Sequence, residues 1–287
     1  MMRYLIILML LANMVSAQSD RRGDSWVIGT NRTISQELME IKFLGDSMTL
    51  QTFSSNHSME SPSITSYSDK DGNLLLYSNG CGIYNKHHEV LENGGDIFEK
   101  YDLINLCNRG YTGNPDGVSF LPDPCDDNLV YLIYLDLVLE SFDLFSEKLV
   151  YTSVDVSNPN KPFINQKGEV INKDRYEMGS LFTTQHDNGI DWWVCILRLD
   201  TNCYDCFHLS ATGFSEPIRS CSGTIWDSVD GDTGVGPGGF SPDGSTYVRF
   251  NFDFGLNVYD FDKSTGLLSH REQIFCLLYT SPSPRDS

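Results

Sequence analysis

The sequence predicts an all-β protein of antiparallel meanders arranged as a β-propeller. Three observations predict this. Short runs rich in β-branched and aromatic residues, in a chain with 14 Tyr and 16 Phe, alternate with clusters of Gly, Asp, Asn, Ser and Pro. Helical spacing is scarce. Its best instance, Asp96 to Leu106 with Ile97, Tyr101 and Ile104 in phase, reads as a short insertion between strands. Finally, one turn–strand–strand unit returns about every 50–60 residues, a period that suits a radially repeated sheet.

The chain opens on an export signal. Arg3 supplies a positive start, Tyr4 to Met14 an apolar run too short to span a bilayer, and Val15-Ser16-Ala17 the small residues of a cleavage site. A buried N-terminal strand or helix is the competing reading, but it does not require that order. Residues 1–17 are therefore read as a signal peptide, and the mature chain is expected to begin near Gln18. No later stretch is apolar enough to cross a membrane, so the expected location is secreted or at the outer cell surface.

The repeat begins at Asp71-Gly72, followed by Leu74 to Ser78, a second run from Gly82 to Asn85, the turn Lys86-His87-His88 and a third run near Val90. Asp243-Gly244 opens the same order: Thr246 to Phe252, Leu256 to Phe261, the turn Asp262 to Gly266, and a run from Leu267. Tyr84 and Tyr259 hold equivalent places late in the second run. Between these copies, Asp127-Asn128 precedes Leu129 to Leu135, and Asn188-Gly189 precedes Trp192 to Leu199. Such a small meander has two apolar faces that it cannot bury alone, and stacking on like neighbours buries them. A β-sandwich also shows regular short strands, but it does not predict a repeat of this length. Residues 18–275 are read as about four to five blades of an incomplete propeller.

These segments carry a resemblance. Ser63 to Asn93, with the core Tyr67-Ser68-Asp69-Lys70-Asp71-Gly72-Asn73-Leu74-Leu75-Leu76-Tyr77-Ser78-Asn79-Gly80 continuing through Ile83-Tyr84-Asn85, resembles the first blade of the β-propeller region of large secreted proteins of gliding-type bacteria. Those proteins often end in a type IX secretion sorting domain. Gly239 to Val248, with its Phe240-Ser241-Pro242-Asp243-Gly244 turn, resembles a later blade, and that turn also occurs in WD-repeat-like and YVTN-like propellers. Tyr151 to Asp155 and Asp191 to Val194 fit the blades between. The resemblance spans roughly Trp26 to Phe275. It implies a cell-surface propeller and supplies no catalytic residues. These 287 residues contain no sorting domain, a departure from the pattern.

The charge limits the partners. A formal net charge of −19 repels phosphate backbones, so nucleic acid is not an expected partner. The expected partner is an extracellular protein or glycan, and no cofactor is implied. Eight cysteines in an exported chain favour disulfides. Cys206 is expected to pair with Cys195 or Cys221, and the turn at Asp200 to Asn202 would set Cys195 opposite Cys206. Free thiols, or metal or redox work by the Cys203/Cys206 CxxC, are the alternatives. No second close cysteine pair supports zinc, and no helix follows the CxxC to support redox chemistry.

The other motifs are weaker. Asp69, Asp71 and Asn73 alternate like the start of a calcium loop, but Gly72 is at the fourth position and Gly80 at the twelfth, so a hairpin turn is the better reading. Trp226, Asp227, Asp230 and Asp232 lie in a Gly-rich loop and are the candidate binding residues for a sugar or cation, against the plainer reading of a solvated inter-blade loop. Gly234, Gly236, Gly238 and Gly239 lack the strand-to-helix context of a phosphate cradle. Trp192 and Trp193 must face opposite sides of one strand. His87 and His88 are expected at the surface, and His57 and His186 read as isolated. Sequons at Asn31 and Asn56 matter only in a eukaryotic secretory pathway.

No nucleophile elbow or zincin motif occurs, and the preferred function is a non-catalytic binding or scaffold module. A carbohydrate-active hydrolase using a carboxylate pair is the alternative. The feature that discriminates them is a cluster of carboxylates with raised pKa in a central funnel.

The last residues read differently. Cys276 to Asp286 matches, codon by codon, one frame of a transposase sequencing adapter, so 276–287 is expected to be non-native rather than a natural Ser/Pro-rich linker. On that reading the gene continues after Ile274 or Phe275, Cys276 pairs with nothing, and the open blade faces make the fragment prone to aggregate.

Overall fold

The computed structural model describes residues 21–29, 37–54, 64–97, 107, 116–140, 143–225, 236–251 and 254–275. Every named element among them is a strand and every pairing is antiparallel. The strands form five sheets in chain order. The first holds β1 (Ser25–Gly29), β2 (Glu37–Leu44) and β3 (Ser47–Ser54). The second holds β4 (Thr65–Ser68), β5 (Leu74–Ser78) and β6 (Ile83–Asn85). The third holds β7 (Val118–Pro122), β8 (Leu129–Glu140), β9 (Asp143–Asp155) and β10 (Phe163–Tyr176). The fourth holds β11 (Phe182–Gln185), β12 (Trp192–Leu197), β13 (Cys203–Ser210), β14 (Gly213–Phe214) and β15 (Ile218–Cys221). The fifth holds β16 (Gly238–Phe240), β17 (Thr246–Asn251), β18 (Gly255–Asp262) and β19 (Leu267–Ile274).

One turn chemistry recurs in four of the sheets. A side-chain oxygen accepts the backbone N–H two residues on: Asp69 from Asp71 (2.9 Å), Asp126 from Asn128 (2.9 Å), Asn188 from Ile190 (3.0 Å) and Asp243 from Ser245 (3.1 Å). This local bond competes with strand pairing and ends the strand where it forms. Asp69 also accepts from the Asn73 N–H, and Gly72 supplies the left-handed backbone (φ 83°) that closes that turn. A second repeat is a cross-strand tyrosine pair. Tyr77 opposes Tyr84 in the second sheet, and Tyr247 opposes Tyr259 in the fifth. Their ring centroids lie 5.0 and 5.8 Å apart, within the range of favourable aromatic pairs.

The sheets share their cores in order. Val27, Leu38, Leu74 and Tyr77 pack between the first and second. Leu76, Ile83, Leu132, Leu135, Val194 and Phe207 belong to one core spanning the second, third and fourth. Phe182, Trp193, Tyr204, Tyr247 and Phe261 pack between the fourth and fifth. The leading strands lie side by side: β1 contacts β4, β4 contacts β7, and β11 contacts β16. Ser119 of β7 and Thr183 of β11 complete the row with a 3.3 Å hydroxyl contact.

Several expectations need correction. Of the expected helix at Asp96 to Leu106, Asp96 and Ile97 are not helical, residues 98–106 lie outside the described residues, and Cys107 alone has helical backbone. The run near Val90 amounts to one bridge to Tyr84, because the chain turns at once through Asn93 (φ 60°). His88 is not a free surface residue. Its ring stacks on Phe53 at 3.9 Å and its Nδ1 lies 3.3 Å from the Tyr77 hydroxyl. Residues 1–17 and 276–287 lie outside the described residues, as do His57 and both sequons. No helix among the described residues is long and apolar enough to cross a membrane.

Candidate functional site

Three sheets deliver one charged group each to the end where the leading strands begin. Asp116 precedes β7, Glu177 joins β10 to β11, and Arg249 lies on β17 opposite Gly238 of β16. Alternation places Arg249 on the inward face with Tyr247 and Asn251, and its side chain is fully buried. Glu177 is 1% exposed and is held through its backbone, its N–H donating to Leu197 O at 3.0 Å. Burial pushes the Glu177 carboxyl up to about 7, aided by the Asp200 charge. The Arg249 guanidinium and the Met178 backbone N–H act the other way and do not offset it. Asp116 is an exposed residue, but partial desolvation raises its carboxyl as well, against a hydrogen bond from the Gly238 backbone and the attraction of Arg249. The phenols of Tyr204 and Tyr259, 3.3 Å apart, lie close by, and burial raises Tyr204. A carboxyl that titrates near neutrality can both give and take a proton there.

Toward the other end of the leading strands lies a groove of about 350 Å³. It is lined by Arg22, Gly23, Ser66, Tyr67, Phe120, Leu121, Pro122, Thr183, Gln185 and Trp192. Rings and aliphatic carbons form most of the wall, and a guanidinium, an amide and hydroxyls provide donors and acceptors. That mixture is the general make-up of ligand grooves. The tryptophan pair explains part of it. Trp193 is 2% exposed and belongs to the core, so strand alternation turns Trp192 into the groove.

The candidate binding residues Trp226, Asp227, Asp230 and Asp232 lie outside the described residues. Their segment leads in sequence to Gly236 and Gly238, beside Arg249. The cysteine candidates are separated: Cys195 is joined to Cys206, with Cα atoms 4.1 Å apart in directly opposed register, and Cys221 is joined to Cys203. Cys81 is joined to Cys107, and Cys125 is an exposed free thiol. Among the described residues no three His, Cys, Asp or Glu side chains come together as a metal set. His186, read as isolated in the sequence, stands 4.7 Å from His208 and 5.5 Å from Trp193, ring to ring. The β11–β12–β13 register brings them together, and His208 Nε2 lies 3.0 Å from Asp191.

Sequence reasoning missed Glu177, Asp116 and Arg249. Only Arg249 left a signal, as a charged residue on the same strand face as Tyr247.

No protein-family model matches the chain, and no curated protein matches it. Among solved structures it is similar to the periplasmic gluconolactonase of Pseudomonas aeruginosa, at 13% identity and a TM-score of 0.41, over 87% of this chain and 66% of that one. The chain thus spans just under two thirds of that protein's length. It is also similar to a candidate 6-phosphogluconolactonase of Bacteroides fragilis NCTC 9343, at 12% identity and a TM-score of 0.39, over 91% of this chain and 83% of that one. A functionally unknown protein of Desulfotomaculum acetoxidans DSM 771 is similar at 10% identity, with a TM-score of 0.32 over 85% of this chain and 84% of that one.

Proposed function

We propose that the five sheets are blades of a β-propeller and that the protein is a secreted or cell-surface binding module for an extracellular glycan or protein. The cores shared in chain order and the row of leading strands support the propeller. The groove carries the function, because Trp192, Tyr67 and Phe120 from three different sheets converge there with Arg22, Thr183 and Gln185. Aromatic faces with flanking polar groups suit sugar rings or aromatic-rich peptide. The test is a glycan and peptide array probed with the purified chain and with Trp192→Ala. The expected result is a defined ligand class whose binding falls at least tenfold in the variant while far-UV circular dichroism is unchanged. Equal binding by the variant would remove the groove from the proposal.

One observation favours a second reading, a carbohydrate-active hydrolase. Glu177 and Asp116 both lie in the field of Arg249, and burial holds the Glu177 carboxyl up to about 7, so Glu177 can keep a proton near neutrality beside a second carboxyl. On this reading Glu177 gives its proton to the leaving oxygen, and Asp116 acts on the sugar or on water. A panel of aryl glycosides tests it. Turnover abolished by Glu177→Gln supports hydrolysis, and no turnover by the wild-type chain excludes it for those substrates.

A further inference from the structure

β3 differs from every other outer edge of the described sheets. It is eight residues long, Ser47–Ser54, with no charged residue and no proline, and its pairing with β2 runs from end to end without a register shift. Among the described residues β2 is its one partner. Elsewhere the outer edges carry the usual protections against pairing with another chain. β10 has four register shifts and a run of lysines and acids; β19 has a shift together with Arg271 and Glu272. β6 and β14 are only three and two residues long.

The outer edge of β3 can be read residue by residue. Leu44 and Ser47 close a two-residue hairpin, so that pair exchanges both backbone bonds and the pattern alternates from there. Residues 47, 49, 51 and 53 therefore face β2, while the N–H and C=O groups of Met48, Leu50 and Thr52 face outward. The side chains of those same residues share a sheet face with Trp26 and Ile28. That face is open: Trp26 is 51%, Met48 60% and Leu50 58% exposed.

We propose that β3 pairs antiparallel with β3 of a second copy of this chain, about a two-fold axis at Leu50, joining two three-stranded sheets into one of six. In this register Leu50 opposes the partner's Leu50 and Met48 opposes the partner's Thr52. Outward backbone groups meet outward backbone groups, and both apolar faces lie on the same side. Antiparallel self-pairing satisfies a closed two-fold by construction. The net charge of −19 on each copy opposes association, and the uncharged β3 adds no repulsion of its own at the contact. The contact should therefore tighten as salt rises.

Light scattering coupled to size exclusion, over a concentration series at low and high salt, reads the mass directly. Twice the mass of one chain is expected, with the dimer fraction rising with salt. Thr52→Pro removes an outward N–H and no bond to β2, so it should fold with an unchanged circular dichroism spectrum and run as a single chain. Leu50→Lys places like charges on the axis and should do the same if the proline variant misfolds. With Cys125 and Cys276 replaced by serine, Leu50→Cys should form a disulfide-linked dimer on mild oxidation at least tenfold faster than Asp46→Cys. A single-chain mass at every concentration overturns the proposal. So does a dimer that both edge variants retain and Leu50→Cys fails to crosslink.

Discussion

The ring of Trp193 fills the space that a side chain at position 266 would need. A Cβ built on Gly266 would stand 2.6 Å from it, and the Trp193 Nε1–H donates to Lys263 O at 2.7 Å in the same turn. A strand of the fourth sheet is thereby locked to the β18–β19 turn of the fifth through one buried side chain. Packing at that distance requires a residue without a Cβ, and the backbone there is left-handed as well (φ 75°).

Gly266→Ala therefore meets two costs, a left-handed alanine at about 1 kcal/mol and overpacking against the indole at about 1–3 kcal/mol. Urea unfolding followed by tryptophan fluorescence should show a loss of roughly 2–4 kcal/mol. A loss below about 0.5 kcal/mol would mean that the indole moves freely out of the way.

The cysteines make a covalent prediction. A non-reduced peptide map should return the pairs Cys81–Cys107, Cys195–Cys206 and Cys203–Cys221, with Cys125 alkylated before reduction. Cys195 and Cys206 are both fully buried and only 11 residues apart. Removing that pair as a double alanine variant should cost about 2–4 kcal/mol, the typical value for a short-loop bridge plus the small cavity left behind. A map with Cys206 joined to Cys221 would contradict the register of β12 and β13.

What the sequence revealed was local. The four Asp or Asn turns were legible because their hydrogen bonds reach only two residues along the chain. The Cys195–Cys206 juxtaposition was one of two pairings left open, for a related reason: a short turn at Asp200 to Asn202 sets the register. The first sheet was harder to see. Its hairpin turn is Gly45-Asp46, in the reverse order to the repeated signal, so it did not register as a copy. Glu177 and Asp116 were not legible at all. Glu177 matters because it is buried near Arg249, and Asp116 because it faces Arg249 from an exposed position; both require distant parts of the chain to converge across more than 130 residues, from Asp116 to Arg249. His186 was misread as isolated because its neighbour His208 is two strands away.

Asp205 and Arg219 test the cost of an unpaired buried charge. The Asp205 side chain is fully buried, and Arg219 donates to its two oxygens at 2.7 and 2.9 Å from a position still 43% exposed. Arg219→Ala leaves the buried carboxylate without its main partner, and the expected loss is about 1–3 kcal/mol, below that of a fully buried pair because the half-exposed Arg219 site admits water. Arg219→Lys should recover little, because an ammonium cannot make both bonds of the fork. Full recovery by lysine would show that charge alone, and not geometry, satisfies Asp205.

Glu177 gives the clearest pH dependence. Its carboxyl is raised from 4.5 to about 7 in the folded chain, so the folded state binds the proton more tightly than the unfolded state. The stability that this proton contributes is fully present below about pH 4.5 and is lost as pH rises through about 7. A shift of that size corresponds to about 3 kcal/mol between the two limits. Glu177→Gln cannot ionise and keeps the shape of the protonated acid. The variant should match the wild type near pH 4.5 and become progressively more stable than it, by up to about 3 kcal/mol, at pH 8. Asp116 also titrates upward, but it is present in both proteins and cancels in the difference as long as Arg249 keeps its place. Denaturant midpoints measured in half-unit steps from pH 4.5 to pH 8 give the curve directly. A difference that stays flat across that range would show that Glu177 ionises as an ordinary solvated carboxyl, and the acid–base reading of the Arg249 cluster would go with it.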